Sequence, residues 1–168
     1  ILLDKVNTVG IPLKKYVDGG IYRGVLTGLN KAFVIDQSTR DRLIAEDWKS
    51  EEIIKPFALG RDVKRYGGLG AKQYLIFTRR GTDIERYPAI EKYLMEFKSS
   101  LTPKPVDWHS GEQWMGRKSG KYEWFENQDT TNYYKEFEKE KIQFAEIATR
   151  GQFTLDNNLA YSDSTTYI

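Results

Sequence analysis

Arginine and lysine are the residues of this chain best placed to do chemistry. Arg61, Lys64 and Arg65 fall within five positions beside Tyr66, Arg79 and Arg80 open the polar turn Arg79-Arg80-Gly81-Thr82-Asp83, and Arg117, Lys118 and Lys121 are interleaved with Gly116, Gly120 and Tyr122. Cations carried on glycine-bearing turns can reach into a groove. Phosphate oxygens accept from either side chain, and the planar guanidinium also pairs bidentately with a guanine edge. Upstream, Thr27-Gly28-Leu29-Asn30-Lys31 adds a hydroxyl, an amide and a charge in a tight polar turn. Each cluster alone is what an ordinary solvated surface presents. Together they point to a nucleic-acid partner.

Other chemistries lack their residues. There is no cysteine, so disulfides, thiol nucleophiles and cysteine-held zinc are excluded, and the lone His109, between Trp108 and Ser110, cannot build a triad or a multi-histidine site. No phosphate-binding lysine loop or dinucleotide fingerprint occurs. Asp47-Trp48-Lys49 and Asp62-Val63-Lys64 place an acid two residues before a lysine, as some nucleases do, but neither has a convincing upstream acidic partner. Glu136, Glu138 and Glu140 alternate with lysines and read as a solvated element end.

The elements that must hold these residues are short. In 168 residues the net charge is only +2, so any anion binding rests on where the cations sit. Aromatics at 14% beside 30% charged residues fit a folded α/β domain and not a disordered tail. The pattern predicts a helix over 1–9, an extended segment 13–17 turned by Asp18-Gly19-Gly20 into a strand over 21–26, and a strand over 32–35. It predicts a helix capped by Ser38 and bearing Leu43, Ile44 and Asp47 to Trp48, and apolar pieces around Pro56 followed by a strand-compatible stretch over 60–66. A strand over 73–78 follows the Gly67 to Gly70 cluster, and Pro88 opens a helix with Ile90, Leu94 and Phe97 on one face. Beyond the irregular 107–120 stretch come a strand over 121–125, a short tyrosine-bearing helix over 131–137, and strands at 142–147, 152–155 and 165–168. The expected fold class is mixed α/β (α+β): several short strands in a mixed, largely antiparallel sheet, two or three helices, and long DNA-facing loops.

The same residues carry a resemblance. Arg23-Gly24, Val25-Leu26, Thr27-Gly28, Asn30 and Phe33-Val34-Ile35-Asp36, in that order, resemble the opening of the TaqI-like C-terminal specificity domain, the target-recognition module of fused restriction endonuclease and adenine-specific DNA methyltransferase enzymes. Ile54-Lys55-Pro56-Phe57 and the stretch over 60–66 are similar to that family's next segment. A second block resembles its C-terminal half: Tyr133-Tyr134, Phe137-Glu138-Lys139, Lys141-Ile142, Phe153-Thr154-Leu155-Asp156 and Thr165-Thr166-Tyr167-Ile168. The match covers roughly the first third and last fifth of the chain; the middle matches only through Tyr74-Leu75-Ile76 and Trp114.

The resemblance implies a single target-recognition domain over 1–168 that reads double-stranded DNA beside a methyltransferase domain of the same chain. It implies no catalytic residue here, because an Asn-Pro-Pro-Tyr-type adenine motif and a cofactor-binding glycine strand are missing. S-adenosylmethionine, and Mg where a nuclease is present, belong to the parent protein. Arg117, Lys118 and Lys121 become candidates for major-groove contacts; Arg61, Arg65, Arg79 and Arg80 for base or phosphate contacts; Thr27, Asn30 and Lys31 for backbone contacts or for guarding the cleft. The chain opens on Ile1 and closes on a strand-like Thr165 to Ile168, so it is expected to be a piece of a longer protein. With no signal peptide and no apolar run long enough to span a bilayer, a cytoplasmic, membrane-free setting is expected. Two other readings compete: an interaction module docking through Trp108, Trp114, Tyr133 and Tyr134, and a small hydrolase using His109 with a carboxylate.

Overall fold

The structure is a computed structural model that describes residues 2–18, 20–65, 67, 69–70, 72–109, 111 and 113–168, with Lys14 described by its backbone alone. Ile1, Gly19, Tyr66, Gly68 and Ser110, named in the sequence reading, lie outside the described residues. Among those described, α1 (Leu2–Val9), α2 (Leu13–Tyr16), α3 (Asn30–Phe33), β1 (Val34–Ile35) and α4 (Gln37–Glu46) are followed by β2 (Ile54–Ala58) and β3 (Gln73–Ile76). Then come α5 (Pro88–Met95), α6 (Lys98–Leu101), β4 (Lys141–Ala145), β5 (Phe153–Asp156), β6 (Tyr161–Ser162) and β7 (Thr166–Tyr167).

The expectation of two or three helices around one sheet is wrong. Six α-helical segments are described, α2, α3 and α6 being single four-residue turns, and the strands form two sheets of four and three. The first runs β1-β3-β2-β6, antiparallel except where β6 joins β2; the second runs β5-β4-β7 and is antiparallel throughout. Single-turn helices have too few residues to show a 3.6-residue period, which is why they escape a pattern search.

Where local signals are strong, the elements form as read. Pro88 starts α5 at its first turn, where its missing N–H costs no bond, and Ala89, Ile90 and Leu94 are buried. The cap of α4 moves two residues upstream. The Asp36 carboxylate accepts from the Thr39 N–H at 2.8 Å and from the Ser38 hydroxyl at 2.9 Å, and these bonds hold its pKa below the usual carboxylate value. Pro56 is tolerated in β2 because β6 reaches only Phe57 and Ala58, so no ladder bond is asked of the proline nitrogen on that side.

The first hairpin does not form. Residues 13–16 are helical, and 22–25 lace instead onto the far end of the chain: the Tyr22 N–H donates to the Ile168 carbonyl, that of Gly24 to Thr166, and that of Val25 to Ser162. The approach is so close that a Cβ on Gly24 would sit 1.9 Å from the Asp163 carbonyl oxygen. A turn signal reports local geometry; it cannot see a partner more than a hundred residues away. The 32–35 strand is likewise split into α3 and β1, 60–62 is a 3-10 turn, 121–125 is irregular, and 134–136 is a 3-10 turn. Residues 22–25 and the C-terminal segment close over a main core that includes Phe33, Phe57, Leu75, Ile90, Leu101, Phe137 and Tyr161, with a small second cluster of Ala58, Val63, Leu69 and Ala160, while α1 stays outside it.

Candidate nucleic-acid interface

Between α6 and β4 the described residues form neither an α-helix nor a strand, so the loops there need another source of shape. Arg117 supplies it. Its side chain is 4% exposed, and all five guanidinium N–H groups are used on carbonyls: Nε donates to Leu101 (2.7 Å), Nη1 to Thr27 (2.9 Å) and Glu126 (2.7 Å), and Nη2 to Glu123 (3.2 Å) and Trp124 (2.9 Å). The Tyr122 ring centre lies 4.5 Å and the Phe33 ring centre 5.5 Å from the guanidinium carbon. Burial pushes the Arg117 pKa down to about 10, which leaves it cationic at neutral pH. One side chain thus ties together the 27–30 turn, the end of α6 and the 123–126 loop.

A second arginine extends the knot. Arg80 donates Nη1 to the Asn127 carbonyl and Nη2 to that of Gln128, and lies 3.5 Å from Glu126 Oε2. The Glu126 carboxylate also accepts from the Gly81 N–H (2.7 Å) and the Glu123 N–H (3.0 Å), and the Asn127 N–H donates to the Thr78 carbonyl (2.8 Å). The basic turn after β3 and the loop after Arg117 are therefore one locked unit.

This geometry redistributes the expected contacts. Arg117 has no donor left for a base edge. Thr27 is buried, its hydroxyl donating to Asn30 Oδ1 (2.6 Å) while its carbonyl serves Arg117, so it braces the turn. Gly28 holds φ of +80°, and a Cβ there would come 2.6 Å from Gln128 Oε1 and 2.7 Å from Arg117 Cδ. Asn30 and Lys31 are exposed on α3, whose Phe33 lies beneath Arg117.

The remaining cations separate into two places. Arg79, Arg80 and Lys121 line adjoining hollows: one holds Arg79, Arg80, Thr130 and Tyr134, the next Arg80, Lys121, Tyr122 and Thr130. Lys118 is exposed and lines neither hollow; its carbonyl accepts from the Tyr122 hydroxyl. Arg79 lies over the Tyr134 ring at 4.9 Å. Arg61 and Arg65 are exposed after β2, where Val63 packs into the small second cluster, and line neither hollow. Tyr122, Thr130, Asn132 and Tyr134 were not among the expected contacts. The signal that could have found them is the short polar run Asp129-Thr130-Thr131-Asn132 ahead of an aromatic pair.

The four aromatics of the rival docking face fall into different packing groups. Trp108 and Trp114 meet edge to face at 4.8 Å, whereas Tyr133 stacks on Tyr22 at 5.1 Å and Tyr134 packs beside Phe77. No helix among the described residues is long and apolar enough to cross a membrane. No protein-family model matches the chain, and no curated protein matches it.

Proposed function

We propose that this chain binds double-stranded DNA as the specificity domain of a restriction-modification enzyme, recognising sequence rather than catalysing a reaction. The observation that carries the reading is the locked loop pair: Arg117 through all its donors and Arg80 through its two terminal nitrogens tie the loops together, beneath adjoining hollows lined by Arg79 and Lys121. Preorganised cations suit a phosphate backbone because little side-chain and loop freedom is lost on binding. The ordered residue blocks shared with the TaqI-like specificity domain support the same conclusion. Methyl transfer to adenine, with S-adenosylmethionine, and any Mg-dependent cleavage then belong to other domains of a cytoplasmic parent enzyme, and the methyltransferase domain supplies the other wall of the DNA cleft.

The test is repeated selection of a random-sequence duplex pool on the protein, followed by a salt titration. A consensus sequence and an affinity falling log-linearly with salt are expected. Retention of no duplex at low salt overturns the reading. The rival reading, a protein-interaction module, draws on α1, where Leu2, Leu3, Val6 and Val9 are all more than half exposed. An interface of that kind would hold its partner with little salt dependence.

A further inference from the structure

Two cavities meet at Arg79 and Tyr134, and they differ in charge. The larger, about 320 Å³, has Phe77 and Tyr161 in its wall, and its cations Lys55, Arg79 and Arg86 are balanced in number by the carboxylates of Glu52, Asp83 and Glu138. Glu138 Oε1 accepts from the Tyr161 hydroxyl (3.0 Å) and lies 3.5 Å from Lys55 Nζ; Glu52 Oε2 accepts from the Tyr87 hydroxyl (2.9 Å) and lies 3.9 Å from Arg86. Such a wall offers both donors and acceptors without a net field, which suits a neutral, planar, polar group beside aromatic rings.

The smaller cavity, about 70 Å³, is different. Arg79, Arg80, Thr130, Thr131, Asn132 and Tyr134 line it, cationic and neutral groups with no carboxylate among them. The Arg79 guanidinium rests on the Tyr134 ring and bonds to no carboxylate among the described residues. Arg80 leaves its buried Nε without a partner. A phosphate-sized volume lined this way favours a compact anion.

We propose that the joined cavities take one nucleotide unstacked from its strand. The phosphate sits against Arg79 with the Thr130 and Asn132 side chains, and the base enters the larger cavity along Tyr134. An N–H of the base edge donates to Glu138 Oε2, the carboxylate oxygen left over from the Tyr161 bond. Stacking on an aromatic ring is tolerant of base identity, so the carboxylate is the discriminating group. The proposal deepens the duplex-binding reading and rests on it for its biological use, yet the two fail separately.

The experiment titrates the protein with GMP, AMP, CMP and TMP, and with inorganic phosphate, followed by NMR shifts. At least one nucleotide is expected to bind about 10-fold tighter than phosphate, and R79A to weaken that nucleotide about 10-fold. E138Q is expected to shrink the spread among the four bases. Because E138Q alters the Tyr161 bond, its unfolding midpoint is measured alongside; Arg79 is exposed, so R79A keeps the test valid if E138Q unfolds. Phosphate binding as tightly as every nucleotide, or nucleotide affinity unchanged in R79A, overturns the proposal. Duplex binding without nucleotide binding also overturns it, whereas nucleotide binding without duplex binding overturns only the specificity-domain reading.

Discussion

Two buried cations in this protein are stabilised differently, Lys141 by a carboxylate together with the Phe137 carbonyl at 2.7 Å and Arg117 by carbonyls. Lys141 on β4 donates to Asp156 Oδ2 on β5 at 2.6 Å, and that carboxylate also accepts from Gln143 Nε2 and the Ala160 N–H, each at 2.9 Å, while its Oδ1 takes the Asn158 N–H at 2.9 Å. Among the described residues no carboxylate bonds to Arg117, which relies on five carbonyl dipoles. The first site joins two strands that already pair; the second organises loops that have no ladder of their own. A side-chain pair can be replaced as a pair, because its members are both encoded. A cage of carbonyls cannot be removed by any substitution of the residues that provide it.

That contrast is most directly broken at Arg117. R117A leaves five carbonyls, those of Thr27, Leu101 and Glu126 in buried bonds, without their guanidinium donor, and a loss of more than about 4 kcal/mol is expected in chemical denaturation. R117K keeps the charge but brings three donors without the planar fork, so it should recover less than half of that loss. A variant within about 1 kcal/mol of wild type would show that the loops are held some other way.

Next in size is the β4–β5 pair. D156A leaves Lys141 its bond to the Phe137 carbonyl but no counter-charge, and strands two backbone N–H groups, at a cost of about 3–5 kcal/mol, whereas K141M combined with D156N should cost clearly less than the sum of the single changes. Strict additivity in that double-mutant cycle would remove the distinction between the two sites.

Smaller again is G28A, which places a Cβ against Gln128 and Arg117 at a positive φ. Roughly 1–3 kcal/mol is expected from unfolding midpoints, with part of the loss absent when R117A is already present, because the Arg117 contact goes while the Gln128 contact and the positive φ remain. Insensitivity to the Arg117 background would detach the 27–30 turn from the cage.

The smallest effect lies at the exposed Asp36 cap. Its folded pKa is depressed, so its contribution is present above the ordinary carboxylate value of 3.8 and is lost as pH falls through the folded value. The melting-point gap between wild type and D36A should therefore narrow as pH drops below about 3.8. A gap unchanged down to pH 2 would mean that the cap does not depend on the charge.

The strong local signals were readable from the chain alone: the start of α5 at Pro88, the apolar face of α4, and strands β3 to β5, whereas β2 read only as apolar pieces around Pro56. So were the clustered arginines, although clustering did not reveal which of them face inwards. Arg79 and Arg80 are neighbours, yet one lies open over Tyr134 and the other gives both terminal nitrogens to loop carbonyls. Arg117 read as a groove contact because an arginine flanked by glycine and lysine looks solvent-facing. Its acceptors belong to backbones at Thr27, Leu101 and Glu123 to Glu126, and a carbonyl has no letter of its own. The division of the strands into two sheets was also hidden, since 22–25 pairs with residues at the other end of the chain.

The sequence by itself determined which segments form the longer helices and strands, that thiol and histidine-triad chemistry are absent, and that positive charge gathers on turns; each depends on residue type and near-neighbour spacing. Tertiary structure alone decided which arginine becomes a brace and which stays available, because that depends on carbonyls brought together from distant parts of the chain.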